Sequence, residues 1–303
     1  MGNEYWELNN GSKCSKIGLG TALIKTEEHK NIVYQCIKDG VRLIDTQKEN
    51  EEIVGNGIKM AIDEGIVERE DLFIATKLEL EEKENPEKAL LNSLNRLQLN
   101  YVDLYLDHWP SCICLNEPNK YKLIPVRDTW KELEKLVDSK LTRSIGVCNY
   151  NIENIFNILS ICRIKPAIIE AEFHPYLYQK DLKEFCDLEN ILIFANNPLI
   201  MREKENIEFI IENKLDIFKD FSLKFLQENF YPKFEIKEII LKWLIQLRIV
   251  PITETLDPNE MKVNLHSKKL DIDEKLMKLI GANDDKQHRF NDGSKIFGIN
   301  IFS

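Results

Sequence analysis

Eight times along this chain a short apolar run of strand type is followed by a longer segment with helical spacing of its apolar residues. The strand-like runs are 17–21, 42–46, 72–77, 102–108, 143–148, 167–173, 191–195 and 249–252. Parallel strands need a crossover of a dozen or more residues, and a helix supplies it. Eight such units with no linker between them, within 303 residues, predict one closed (β/α)8 barrel rather than a doubly wound sheet. No G-x-G-x-x-G or G-x-x-x-x-G-K-[ST] run occurs, which argues further against nucleotide-binding open sheets. Ahead of the first unit, Asn9-Asn10-Gly11 is a turn signal, and residues 1–16 read as a hairpin capping one barrel end.

The helix boundaries are written in the same grammar. Thr26 is a candidate cap for the first helix, and Gly40 closes it. Asn85-Pro86-Glu87 sets a cap, a proline and an acid at the start of the third. Further helices are expected at 51–64, 127–139, 151–163, 179–188, 236–247, 257–265 and 272–281. Residues 201–235 are charged and poor in strand signal, so they read as a variable loop with short helices over the barrel mouth. Residues 282–303 form an irregular tail, and the whole chain reads as a single domain. The Lys/Glu-rich runs 77–88 and 202–212 read as solvated faces.

Composition narrows the function classes. A net charge of −10 disfavours nucleic acid and anionic membranes, both of which want a basic face. No apolar run is long enough to span a bilayer, and Met1–Trp6 lacks the apolar core of a leader, so a cytoplasmic location is expected. Seven scattered cysteines suit reduced thiols better than a disulfide framework, and Cys112-Ile113-Cys114 reads as loop thiols rather than a metal site.

In a parallel barrel the C-terminal strand ends converge on one mouth, where active sites are built. Three successive strands end in reactive side chains there: Asp45, Lys77 and His108. His174 reads as structural. Cys148 has no adjacent histidine to activate it, so it is not expected to act as a nucleophile.

Several segments carry a family likeness. They are Gly18-Leu19-Gly20-Thr21, Ile44-Asp45-Thr46, Asn50–Gly55, Asp71–Lys77, Tyr101–Pro110, Ser144–Tyr150, His174–Leu177 and the tail His288-Arg289-Phe290-Asn291-Asp292. Together they resemble the aldo-keto reductases, in register from about residue 6 to the end. The resemblance implies a (β/α)8 barrel that reduces a small aldehyde or ketone with NADP or NAD as the dinucleotide. It implies catalytic roles for Asp45, Lys77 and His108. It places Gly20, Thr21, Cys148, Asn149, Glu170, Asn196 and Thr253 around the cofactor.

The departures are as informative as the matches. The family's proton-donating tyrosine has no counterpart in Asp45–Glu51, and Lys48 lies close to the missing position. Cys148 and Glu170 stand for serine and glutamine at the carboxamide, and Asn196 stands for the tyrosine that stacks on the nicotinamide. Ile252 stands for a lysine at the 2′-phosphate, and no arginine follows it. Two readings follow. One is a reductase impaired by loss of its general acid, with Lys77, His108, Lys48 or a water standing in. The other is a non-catalytic barrel retained for binding or scaffolding. A hydrolase or lyase using Asp45, Lys77 and His108 is a weaker third.

Overall fold

A computed structural model describes residues 4–110, 124–200, 215–283, 287–291 and 293. Cys112 and Cys114, the run 202–212 and most of the tail lie outside them. Two strands, β1 (Tyr5–Glu7) and β2 (Lys13–Ser15), pair antiparallel. Gly11 takes the left-handed turn between them at φ +83°. Eight further strands close a parallel barrel: β3 (Gly18–Gly20), β4 (Leu43–Asp45), β5 (Phe73–Leu78), β6 (Val102–Asp107), β7 (Thr142–Cys148), β8 (Ile168–Glu172), β9 (Leu192–Asn196) and β10 (Ile249–Glu254). Strand β10 returns to β3 through Thr253 opposite Leu19, so no edge is left open.

The helices between them are α1 (Lys30–Lys38), α2 (Glu51–Asp63), α3 (Pro86–Leu97), α4 (Val126–Asp138), α5 (Ile152–Leu159), α6 (Lys180–Leu188), α7 (Phe221–Phe230), α8 (Ile236–Gln246), α9 (Pro258–His266) and α10 (Glu274–Gly281). Asn85 caps α3 by accepting from Lys88 N at 3.0 Å. Thr26 makes no side-chain cap, because the chain first tightens into a 3-10 turn at Glu27–His29 and α1 begins only at Lys30. Within the expected loop 201–235, α7 is a full ten-residue helix. No helix among the described residues is long and apolar enough to cross a membrane.

Strand alternation divides the core into two layers. Leu43, Phe73, Leu104, Leu106, Ile168, Phe194 and Ile252 point inward and fill the barrel. Leu8 and Cys14 join that inner layer from the hairpin, which therefore plugs the N-terminal end. Ile44, Ile74, Tyr105, Ile145, Ile169 and Ile193 point outward against helical Val33, Val54, Leu90, Trp130 and Trp243. Each fully buried side chain of this kind contributes about 1.5–3 kcal/mol. The tryptophans also satisfy their N–H groups, Trp130 on Ile164 O at 3.0 Å and Trp243 on Met277 O at 3.2 Å. At Gly146 a Cβ would lie 2.4 Å from Ile168 O, so β7 needs glycine to lie this close to β8. With one end plugged, polar side chains collect at the other.

Candidate active site at the barrel mouth

The ends of β4, β5 and β8 bring Asp45, Lys77 and Glu170 together. Lys77 Nζ donates to both Asp45 oxygens at 2.7 and 2.6 Å, and it stands 3.3 Å from Glu170 Oε2. All three side chains are almost wholly buried. Burial first, and then the Glu170 carboxylate, push Asp45 up to about 7 despite the Lys77 ammonium. For Lys77, burial works against the charge, but Asp45 and Glu170 outweigh it and hold the ammonium above its ordinary range. Two carboxylates share one cation, so the cluster takes up a proton near neutrality.

Cys148 faces the same cluster. Burial and Glu170 hold its thiol well above its ordinary value, so it stays protonated. Asn149 takes a left-handed turn at φ +62°. Its amide donates to His108 O and to Cys148 Sγ, each at 3.2 Å, and its backbone N–H donates to Glu170 O at 2.9 Å. Asn149 thus ties together the ends of β6, β7 and β8. Thr21 does similar work at the other side: its hydroxyl donates to Asp45 O at 2.9 Å, and Asn50 Nδ2 donates to Thr21 O at 2.6 Å. At Gly20 a Cβ would meet Glu254 Cγ at 2.8 Å, so this glycine makes room for the Glu254 side chain. Asn196 ends β9 with its Oδ1 buried and without a partner among the described residues.

Thr253 does not join them. Its hydroxyl lies 3.3 Å from Gly18 O and 3.4 Å from Met261 Sδ, and it accepts from Asn264 Nδ2. Ile252 points into the barrel, so its neighbour Thr253 points into the helix layer.

His108, the first residue beyond β6, keeps 19% of its side chain exposed. Its Nδ1 lies 2.8 Å from Glu79 Oε2. A carboxylate only accepts, so Nδ1 carries a proton, and Nε2 has no partner among the described residues. Lys48 does not reach Asp45 or Lys77. It is held at 2.9 Å by both Glu81 and Glu82, which keep its ammonium above the ordinary value against burial.

The loop after β5 is where the sequence reading needs correction. Residues 77–88 read as a solvated face, yet Glu79 and Lys83 are buried. Lys83 Nζ donates to Trp109 O and pairs with Asp107 at 2.5 Å, and Tyr150 OH donates to Asp107 at 2.7 Å. Glu79, Glu81, Glu82, Lys83 and Asp107 are thus parts of the mouth that the sequence reading missed. A faint signal was available: buried Leu80 interrupts the charged run, as a loop folded onto the barrel would require.

The tail closes one side. Buried Glu172 accepts from the backbone N–H groups of Phe290 and Asn291 at 3.1 and 2.9 Å. His174, wholly buried, stands on the same carboxylate at 3.1 Å. A cleft of about 760 Å³ runs from Asn149 between the starts of α5 and α6 to Gln287 and Arg289.

Known proteins share this architecture. The chain is 35% identical to the NAD(P)H-dependent D-xylose reductase of Pachysolen tannophilus, over 95% of this chain and 96% of that protein. It is 40% identical to the aldose reductase of Encephalitozoon cuniculi over 208 residues, which cover 64% of this chain and 68% of that one. The structure of the aldose reductase from Schistosoma japonicum matches with a TM-score of 0.86 at 26% identity, covering 98% of this chain and 97% of that one. The sequence profile described as the Aldo/keto reductase family spans residues 16–284. Those limits run from the segment entering β3 to the residues just past α10, and on that ground the chain belongs to the aldo/keto reductase family.

Proposed function

We propose that this chain reduces small aldehydes or ketones with a nicotinamide dinucleotide as hydride donor, and that His108 supplies the proton. The observation that carries this reading is the distribution of open valences at the mouth. Lys77 spends its ammonium on Asp45 and Glu170, and Lys48 spends its own on Glu81 and Glu82. His108 Nε2 alone among these cationic or ring nitrogens has no partner among the described residues. Reduction leaves charge on the carbonyl oxygen, and a donor must meet it there.

The residues present suit the cofactor's carboxamide. Asn196 Oδ1 is a buried acceptor without a hydrogen-bond partner among the described residues, and a carboxamide NH₂ offers the donor that such an oxygen lacks. When bound, the dinucleotide supplies hydride to the carbonyl carbon. Acidic side chains stand at the end of β10 and just past it: Glu254 lies against Gly20, and Glu260 accepts from Thr255 at 2.7 Å. Carboxylates accept from a ribose hydroxyl and repel a phosphate. By the resemblance a 2′-phosphate would lie at this strand end, so NADH is preferred over NADPH. Use of NADH occurs by name among relatives, which include an NADH-dependent D-xylose reductase of Candida parapsilosis, 32% identical to this chain.

The test is calorimetric titration with each reduced dinucleotide, followed by turnover of D-xylose and short aldehydes. Micromolar NADH binding with weaker NADPH is the expected result. His108→Ala keeps that binding and loses about 10²–10⁴ in kcat. Failure of both dinucleotides to bind at millimolar concentration overturns the reading and leaves a non-catalytic barrel.

A further inference from the structure

We propose that Glu79 is the positioning residue that makes His108 a proton donor, an inference that rests on the reductase reading above. Strands β5 and β6 pair with Leu78 opposite Asp107, so the next residues, Glu79 and His108, leave adjacent strand ends side by side. His108 N donates to Leu78 O at 3.2 Å, which holds the backbones in that relation. The Glu79 side chain is only 11% exposed, and its Oε2 meets Nδ1 at 2.8 Å.

Neither partner is free to swing. Leu80, the residue after Glu79, is buried. Lys83 clamps the same loop to Asp107 and Trp109 O, the residues flanking His108. Lys48 holds Glu81 and Glu82 from the other side. Asn149 fixes the His108 carbonyl. The chain on either side of Glu79 and of His108 is thus pinned, and Asn149 touches the pair itself. Such over-determination is what keeps a ring in one orientation.

The chemical consequence concerns which nitrogen reacts. A carboxylate at Nδ1 requires a proton there and leaves Nε2 as the reactive position. It also balances the positive charge that the ring carries when Nε2 is protonated. With a reduced dinucleotide bound, its hydride would form the new C–H bond at the carbonyl carbon and leave the nicotinamide oxidised. The C=O π pair becomes an O–H bond with the Nε2 proton. The ring is left neutral, with Nδ1–H still on Glu79, and regains its proton from water at the open mouth.

Glu79→Gln tests the proposal, because the shape is kept while the obligate acceptor is lost. Its kcat is expected to fall by about 10²-fold, the lower end of a general acid's contribution, with KM and dinucleotide binding unchanged. In the His108→Ala background the same change has no further effect on kcat, since Glu79 acts through the ring. Nitrogen-15 NMR of the His108 ring is expected to show Nδ1–H in the parent chain and a redistributed proton in the variant. A variant kcat within twofold of the parent, or an unchanged ring signature, overturns the proposal while the reductase reading stands. Should the parent reduce no carbonyl compound, the reductase reading fails by itself, and the ring signature still decides whether Glu79 holds His108.

Discussion

Replacing Glu170 by glutamine should remove most of the pH dependence that the buried cluster gives to stability. The facing oxygens of Asp45 and Glu170 lie 2.6 and 3.3 Å from Lys77 Nζ, so they are within about 6 Å of each other. At that separation, with an effective dielectric constant near 20, like charges repel by about 3 kcal/mol, or roughly two pH units on Asp45. Asp45 stands at about 7 in the folded chain against an ordinary 3.8. A pKa raised by folding gives stability that is full below the unfolded value and is lost as pH rises through the folded one. Between pH 5 and pH 8 the loss from this one carboxyl is about 2.5 kcal/mol. In Glu170→Gln the folded pKa drops by roughly two, and the loss over the same interval shrinks to about 0.4 kcal/mol. The absolute stability of the variant is a poor readout, because the substitution also removes an attraction to Lys77. The slope is a clean one, because titrations elsewhere cancel between variant and parent. Urea denaturation of both proteins at the two pH values measures it. Parallel pH profiles would show that Glu170 does not govern Asp45, and the account of a shared charge would fall.

Lys48→Ala should leave kcat within threefold, far short of the loss in His108→Ala, because Lys48 is committed to Glu81 and Glu82. Its cost is a stability change of about 0.2–1 kcal/mol, as for other part-exposed pairs, and steady-state kinetics beside thermal melts separates the two; a catalytic loss matching His108→Ala would return Lys48 to the mechanism. Glu172→Gln should loosen the tail, since a glutamine cannot accept from Phe290, Asn291 and His174 together. Burial opposes the Glu172 charge, but His174 and the two backbone donors hold its pKa below the ordinary range. Its contribution is therefore present above that range and lost as pH falls through the lowered value. Faster tryptic cleavage at Arg289 in the variant is the expected readout, and equal rates would refute the latch.

The barrel was legible because its signals are local. A strand declares itself by alternation and a helix by its 3.6-residue stripe, so most strand boundaries lie within one residue of those expected. Asp45, Lys77 and His108 were legible for the same reason, each standing at or just past a strand end. The direction of the Thr253 side chain was legible from parity: Ile252 must face inward in an apolar barrel, which turns the Thr253 side chain outward. The loop 79–85 was not legible, and the reason is physical. Glu79 pairs with His108 across 29 positions, and Lys48 with Glu81 across 33. Composition describes what a charged run does in water. It does not describe what that run does when opposite charges from two other strands wait at the mouth.

Those partners also change how the missing tyrosine is understood. Six carboxylates (Asp45, Glu79, Glu81, Glu82, Asp107 and Glu170) face three lysines and one histidine there. Each lysine is held by two acceptor groups, whereas His108 Nε2 has no partner among the described residues. Removing Lys77 or Lys83 would strand a carboxylate in a buried setting, which costs more than the pair contributes, whereas the part-exposed Lys48 pairs are left in contact with water. The segment 45–50, the loop 79–85 and the end of β6 are thus bound into one electrostatic unit, and residues bound in that way act non-additively. Restoring a tyrosine to the segment after Asp45 would bring a phenol to an ammonium already engaged by Asp45 and Glu170. It would also disturb Lys48 and, through Glu81 and Glu82, the loop that seats Glu79. The physical unit at this mouth is the network, and within it the free valence of His108 is the point from which a proton can leave.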